Sequence, residues 1–260
     1  MRSVRVPSGQ DEVRIENTNE CWAIDKSSGA VRAMFGDISG CYDRLNHLLS
    51  ANQDRRWRRR AIQLLGPRAD DRILDLCCGT GDLAFECLRQ QPRCHVLGAD
   101  FAVPMLRLAQ DKAPFTLLTP HSSLLTSWLA GDALRLPFAD ATFDKVMVGF
   151  GARNFENTET GLREMQRVTK PGGKVLVLEF MRPTFLPLRL GASAFNYVLA
   201  PIGRGVSGHA TAYNYLPQSI DGFYTRDEFA GLLRGVGFHN VRAFDYAAGI
   251  ATSIIAHKPL

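Results

Sequence analysis

No run in this chain approaches the roughly 18 consecutive apolar residues that a membrane-spanning helix requires, which argues against an integral helical membrane protein. Met1 to Glu20 is polar and mixed in charge and contains no apolar core of the kind a secretory signal carries. The same segment lacks a helical or strand period and is expected to be a disordered tail, residues 1–25. No C-x-x-C pair occurs among Cys21, Cys41, Cys77, Cys78, Cys87 and Cys94. A metal site is therefore not expected, and the thiols read as reduced, small apolar side chains of a cytoplasmic protein, with a catalytic thiol as the lesser alternative. Basic residues interleaved with aromatics occur in one place only, so nucleic acid is not an expected partner.

What is present is ordinary globular composition, 45% hydrophobic and 22% charged over 260 residues. The net charge is +5, and the basic excess is bunched in Arg55-Arg56-Trp57-Arg58-Arg59-Arg60. A solvated helix face, an anionic membrane surface and nucleic acid each account for such a run. The embedded Trp57 favours the membrane, because indole prefers the lipid–water boundary.

The most informative segment is Ile73-Leu74-Asp75-Leu76-Cys77-Cys78-Gly79-Thr80-Gly81-Asp82-Leu83-Ala84. Ile73 to Leu76 suits a buried parallel strand. Gly79 and Gly81 allow a tight turn and close approach of a ligand. A helix starting at Asp82 points its free N–H groups over that turn. Val96-Leu97-Gly98-Ala99-Asp100 then gives a second strand ending in an acid, placed to accept from ribose hydroxyls. An adenosine cofactor is expected.

The glycine pattern alone also fits NAD. Three features favour S-adenosylmethionine. Asp75 lies inside the strand, where it can engage the cationic amino-acid end. Asp132 and Ala133 follow a third strand, 128–131, where an acid meets the adenine amino group. Val241 to Tyr246 and Ile250 to His257, joined at Gly249, suit a hairpin that puts an antiparallel strand into the sheet.

Repeated alternation predicts strands at 72–77, 94–99, 128–131, 143–149 and 174–180, and helices at 82–90, 103–112, 158–169 and 227–234. Residues 113–127 read as irregular. Lys170-Pro171-Gly172-Gly173 is a helix stop, and Thr225 a helix cap. A helical prelude, 28–66, is expected to contain helices at 31–35, 42–49 and 54–65, the last capped by Asp54. An insertion, 182–222, contains the apolar stretch Leu186 to Ile202, which reads as a core helix or a lid over the cleft.

These residues resemble the ubiquinone/menaquinone C-methyltransferase family. The matching stretches include Met34-Phe35, Tyr42-Asp43-Arg44-Leu45-Asn46, the glycine segment, Leu136-Pro137-Phe138, Gly149-Phe150-Gly151-Ala152-Arg153-Asn154, Lys170-Pro171-Gly172-Gly173 and Tyr215-Leu216-Pro217-Gln218-Ser219-Ile220. The resemblance implies a class I methyltransferase over residues 26–260: an α/β, Rossmann-like doubly wound sheet with an antiparallel C-terminal strand. It implies contacts to S-adenosylmethionine from Thr80, Asp100, Asp132, Ala133 and Gly149, where serine is the commoner family residue at the Gly149 position. Cys77 stands where many methyltransferases have a glycine. The implied reaction is methylation of a ring carbon of a prenylated naphthoquinol. Ubiquinone or phylloquinone precursors, or another small acceptor, are the alternatives.

Carbon methylation of a quinol requires loss of a phenolic proton and exclusion of water. Arg153 can stabilise the developing phenolate and orient a water, Asn154 can hold that water or a ring oxygen, and Tyr42 is a third candidate. The competing readings pair Arg153 with Glu156 or Asp43 and place Tyr42 in the core. A lipid-borne substrate further implies a peripheral membrane location at the inner face, and a homodimer is an allowed assembly.

Overall fold

The computed structural model describes residues 29, 50, 52–116, 126–184 and 210–260. Expectations for the tail, for helices at 31–35 and 42–49, for Tyr42 and Asp43, and for the apolar stretch 186–202 lie outside the described residues. The described elements are α1 (Gln53–Leu65), β1 (Arg72–Leu76), α2 (Asp82–Gln90), β2 (His95–Asp100), α3 (Val103–Thr116), β3 (Thr126–Ala130) and β4 (Phe143–Gly149). A 3₁₀ turn at Ala152–Asn154 follows, then α4 (Thr158–Val168), β5 (Thr169–Phe180), α5 (Ala210–Asp221), α6 (Arg226–Gly235), β6 (His239–Tyr246) and β7 (Ala251–His257).

The strands form one sheet in the order β3-β2-β1-β4-β5-β7-β6. The pairs β1–β2, β2–β3, β1–β4 and β4–β5 are parallel, whereas β7 runs antiparallel to both β5 and β6. The expected sheet and its reversed C-terminal strand are both present.

Buried strands are apolar on both sides because helices cover both faces. Alternate residues of one strand therefore enter different cores. Leu74, Val146, Val148, Val175 and Val177 pack with Leu162 and Met165 of α4 and Phe229 and Leu233 of α6. Ile73, Met147, Leu176 and Leu178 pack with Trp57, Ala61, Ile62 and Leu65 of α1 and Leu83, Cys87 and Leu88 of α2. Asp75 shares the parity of Ile73 and so enters the α1–α2 layer.

Several expectations are corrected. The cap of α1 is Asn52, not Asp54; Asp54 sits in the first turn, where it accepts from Ser50 Oγ at 2.7 Å and pairs with Arg58. The helix stop at Lys170 to Gly173 holds, but the following strand does not wait until 174. The helix ends at Val168 and β5 starts at Thr169, with the register slipping between the Phe143↔Thr169 and Lys145↔Lys174 pairs, so this segment is a bulge at the strand's start. Thr225 does cap α6, in a full capping box with Glu228.

Trp57 is not an interfacial anchor. It is 6% exposed. Its ring stacks with Tyr246 at 6.4 Å and meets Phe180 edge-on at 6.1 Å and Phe150 at 6.5 Å. Helical spacing turns Trp57, Ala61 and Ile62 onto the sheet, while Arg55, Arg56, Arg59 and Arg60 face outward. Among the described residues, no helix is long and apolar enough to cross a membrane.

Candidate active site

Winding reverses between β1 and β4, and in such sheets a ligand crevice opens at the carboxyl ends of the strands at that point. The loop after β1, the end of β2, the turn after β3 and the turn after β4 all emerge there. This brings together Asp75, Gly79, Thr80, Gly81, Asp100, Asp132, Ala133, Gly149, Arg153 and Asn154.

The loop after β1 is left-handed at Cys77, Gly79 and Gly81, with φ of 53°, 54° and 84°. At Gly81 the conformation and the space both demand glycine, since a Cβ would stand 2.6 Å from Trp128 Cη2. Cys77 holds a left-handed position without that freedom, a conformation that only glycine adopts at no cost. Gly151 lets the β4 turn close onto this loop, because a Cβ there would lie 2.5 Å from Cys77 Cβ.

Asp100 ties the loop in place. Its Oδ2 accepts from the Gly79 N–H and its Oδ1 from the Ala102 N–H, both at 2.8 Å. Burial raises its pKa, opposed by the backbone N–H groups it accepts from. A carboxylate accepts about four hydrogen bonds, and with the Phe101 N–H as a third backbone donor, capacity remains for a ribose hydroxyl. Asp132 is exposed, with Oδ1 accepting from Leu134 N at 2.9 Å, and Ala133 is buried behind it. Thr80 is buried, its hydroxyl accepting from Lys112 Nζ at 3.1 Å. At Gly149 a Cβ would meet Leu83 Cδ2 at 3.1 Å, so Leu83 fills the room a serine there would need.

Asp75 is fully buried, and neither carboxylate oxygen has a well-formed hydrogen bond, the Ala84 N–H acting on it only as a weak backbone donor. Burial is the main cause that pushes its pKa up to about 8. A buried orphan carboxylate is costly unless a cation completes it. The ammonium of a bound amino acid supplies that cation, and the residues present therefore fit S-adenosylmethionine.

On the other side of the crevice Arg153 is 5% exposed and pairs with Glu179 of β5, not with Glu156. Its N–H donates to Glu179 Oε2 and its Nε to Ser219 Oγ, each at 3.1 Å, and the guanidinium lies 5.4 Å from the Phe180 ring centre. Burial pushes the Glu179 carboxyl up, opposed chiefly by the Arg153 charge. Asn154 Oδ1 accepts from the Tyr215 hydroxyl at 2.7 Å. Burial raises the Tyr215 pKa, so the phenol stays a donor.

Glu179 and Lys112 carry no sequence signal, Arg58 reads in the sequence only as part of the cationic run and is instead buried, and Tyr215 and Ser219 have no role assigned by the motif. The Tyr215 to Ser219 match to the family was the only available signal, because the other partners come from elements distant in the chain.

The description "ubiE/COQ5 methyltransferase family" matches residues 23–258. A demethylmenaquinone methyltransferase of Porphyromonas gingivalis is 41% identical over 230 residues, 88% of this chain and 92% of that protein. A ubiquinone/menaquinone biosynthesis C-methyltransferase of Geobacter sp. strain M21 is 41% identical over 240 residues, 91% of this chain and all of that protein. The solved SAM-dependent methyltransferase of Thermotoga maritima shares the fold with a TM-score of 0.60 at 18% identity, covering 87% of this chain and 98% of that one. The chain belongs to the ubiE/COQ5 methyltransferase family, and its cofactor is S-adenosylmethionine.

Proposed function

We propose that the chain methylates a ring carbon of reduced demethylmenaquinone, giving menaquinol. The observation that carries this reading is the near full-length match, at 41% identity, to proteins named demethylmenaquinone methyltransferase from Porphyromonas gingivalis and Thermus thermophilus. When bound, the cofactor supplies an electrophilic methyl group on a sulfonium. The oxidised ring is electron-poor and cannot attack it, whereas the quinol can once a hydroxyl proton is shared or removed, the hydrogen of the methylated ring carbon then leaving as a proton to restore the aromatic ring.

The chain's own residues suit that task. Tyr215 occupies Asn154 Oδ1, which leaves the amide NH₂ as the group offered to a ring oxygen or a water. Nη1 and Nε of Arg153 are engaged by Glu179 and Ser219, while Nη2 has no acceptor among the described residues. Arg153 Nη2 and Asn154 Nδ2 then hold the oxygen on which negative charge develops. Arginine does not itself remove the proton; an oriented water or the medium takes it. Tyr42 remains a third proposed contact.

A prenylated acceptor dissolves in lipid. The outward row Arg55, Arg56, Arg59 and Arg60 supports docking on an anionic bilayer, each cation contributing on the order of 1 kcal/mol near the surface.

The test is a purified assay with reduced and oxidised demethylmenaquinone. Mass spectrometry should find a carbon-methylated product from the reduced form only. Equal product from the oxidised form under non-reducing conditions refutes the chemistry. In a parallel measurement, anionic liposomes should sediment the protein at low salt, and changing the four outward arginines to Gln should abolish this. Indifference of the unaltered protein to anionic liposomes removes the docking reading.

A further inference from the structure

Arg58 differs from the other arginines of its run. It lies on the sheet-facing side of α1 and is 9% exposed. Its Nη1 pairs with Asp54 and stands 3.6 Å from Asp82 Oδ2, the first residue of α2. Its guanidinium lies 5.6 Å from the ring centre of Phe150, the residue that follows Gly149. Arg58 is therefore wedged between two walls of the cofactor crevice: the start of α2 and the turn after β4. Among the described residues its Nε and Nη2 have no hydrogen-bond acceptor.

Asp75 projects into this same layer from β1 with neither oxygen in a well-formed hydrogen bond. The Arg58 charge acts on it, opposing the effect of burial. A buried carboxylate without a well-formed hydrogen bond and a buried guanidinium with spare donors thus lie in one layer, beside the loop after β1. A cationic group and an anionic group on one carbon atom match that arrangement. A sulfonium or a purine does not need it.

We propose that Arg58 binds the carboxylate of the cofactor's methionine moiety while Asp75 takes its ammonium. The guanidinium fork suits a carboxylate, and its pairing with Asp54 holds it oriented before the ligand arrives. Lys112 is the rival cation. Its Nζ is already bonded to Asp82 Oδ1 at 2.6 Å and Thr80 Oγ1 at 3.1 Å, and its side chain is 31% exposed.

The experiment measures calorimetric affinities for S-adenosylhomocysteine and for its decarboxylated analogue, which keeps the ammonium and lacks the carboxylate. The unaltered protein should prefer S-adenosylhomocysteine by about tenfold to a hundredfold, the scale of a hydrogen bond to a charged group. In the paired variant D54N/R58Q no buried charge is stranded. There the preference should fall to about threefold or less, with affinity for the decarboxylated analogue little changed. R58K should also lose most of the preference, because lysine lacks the fork, and it serves as the readout should the paired variant not fold. K112Q should keep it. Equal affinity of the unaltered protein for both ligands overturns the proposal. So does retention of the preference in D54N/R58Q or R58K, or its loss in K112Q alone.

Discussion

Asp75→Asn tests the electrostatics of the proposed cofactor site most directly. With its pKa pushed up to about 8 by burial, the carboxyl is mostly protonated at neutral pH in the free protein. Only a minority of molecules carries the charge at pH 7, so ionising it for the incoming ammonium costs on the order of 1 kcal/mol there, and more at pH 6. Affinity for S-adenosylhomocysteine should therefore rise from pH 6 to pH 8, by up to about tenfold per pH unit. At pH 7 binding should release up to about one proton, which calorimetry reads from the heat difference between phosphate and Tris buffers. The Asn variant keeps the shape and loses the charge. It should bind with little pH dependence over this range, release no proton, and fall furthest behind the unaltered enzyme at pH 8. The free protein obeys the same linkage in the opposite sense. A carboxyl whose folded pKa is raised contributes stability that is complete below the unfolded value near pH 4 and is lost as pH rises through about 8. The Asn variant should lack that contribution, so its unfolding free energy should decline less over the window. Affinity that is flat from pH 6 to pH 8 in the unaltered protein, with no proton released, would refute the reasoning.

Three further outcomes are expected. Trp57→Ala should destabilise the fold by about 3–5 kcal/mol in urea denaturation, since it empties the space among Phe150, Phe180 and Tyr246, while liposome binding per folded molecule stays unchanged. Tyr215→Phe removes the donor that orients Asn154; turnover should fall about three- to tenfold with no change in calorimetric affinity for S-adenosylhomocysteine. Glu179→Gln strands the buried Arg153 cation, so denaturation should show a loss of about 3–5 kcal/mol, the scale for breaking a buried ion pair.

The local signals in the chain concern neighbours in sequence, and they suffice where only neighbours matter. α2 occupies the predicted 82–90 because Gly81 and the acid at its first position are local start signals. β4 spans the predicted 143–149, and Thr225 caps α6 as expected, for similarly short-range reasons. Boundaries moved where pairing across the sheet decided them. β5 extends back to Thr169 because Phe143 and Lys145 of β4 offer partners on either side of a bulge, which no helix-stop motif reveals.

The glycine loop and the acids Asp75, Asp100 and Asp132 were legible because a parallel strand must deliver its last residues to the carboxyl edge, so spacing alone puts them at one crevice. What each acid does there was not legible. The sequence spacing is the same whether an acid accepts from backbone N–H groups, as Asp100 does, or stands alone in the α1–α2 layer, as Asp75 does. The arginine run shows the same division. Its composition marked a cationic helix, and a 3.6-residue period separates its faces. Only packing against Phe150, Phe180 and Tyr246 decided that Trp57 points inward, and only the approach of α2 set Arg58 beside Asp82. Likewise Arg153 and Asn154 were visible as a motif, but their partners Glu179, Ser219 and Tyr215 lie 26, 66 and 61 residues away. The sequence by itself determined the element order, the parallel sheet and the place of the crevice, because these follow from short-range periodicity and chain direction. The tertiary structure decided which charges are buried, which are paired and which remain open for a ligand, because burial and pairing depend on segments that meet only once the sheet has closed its two faces.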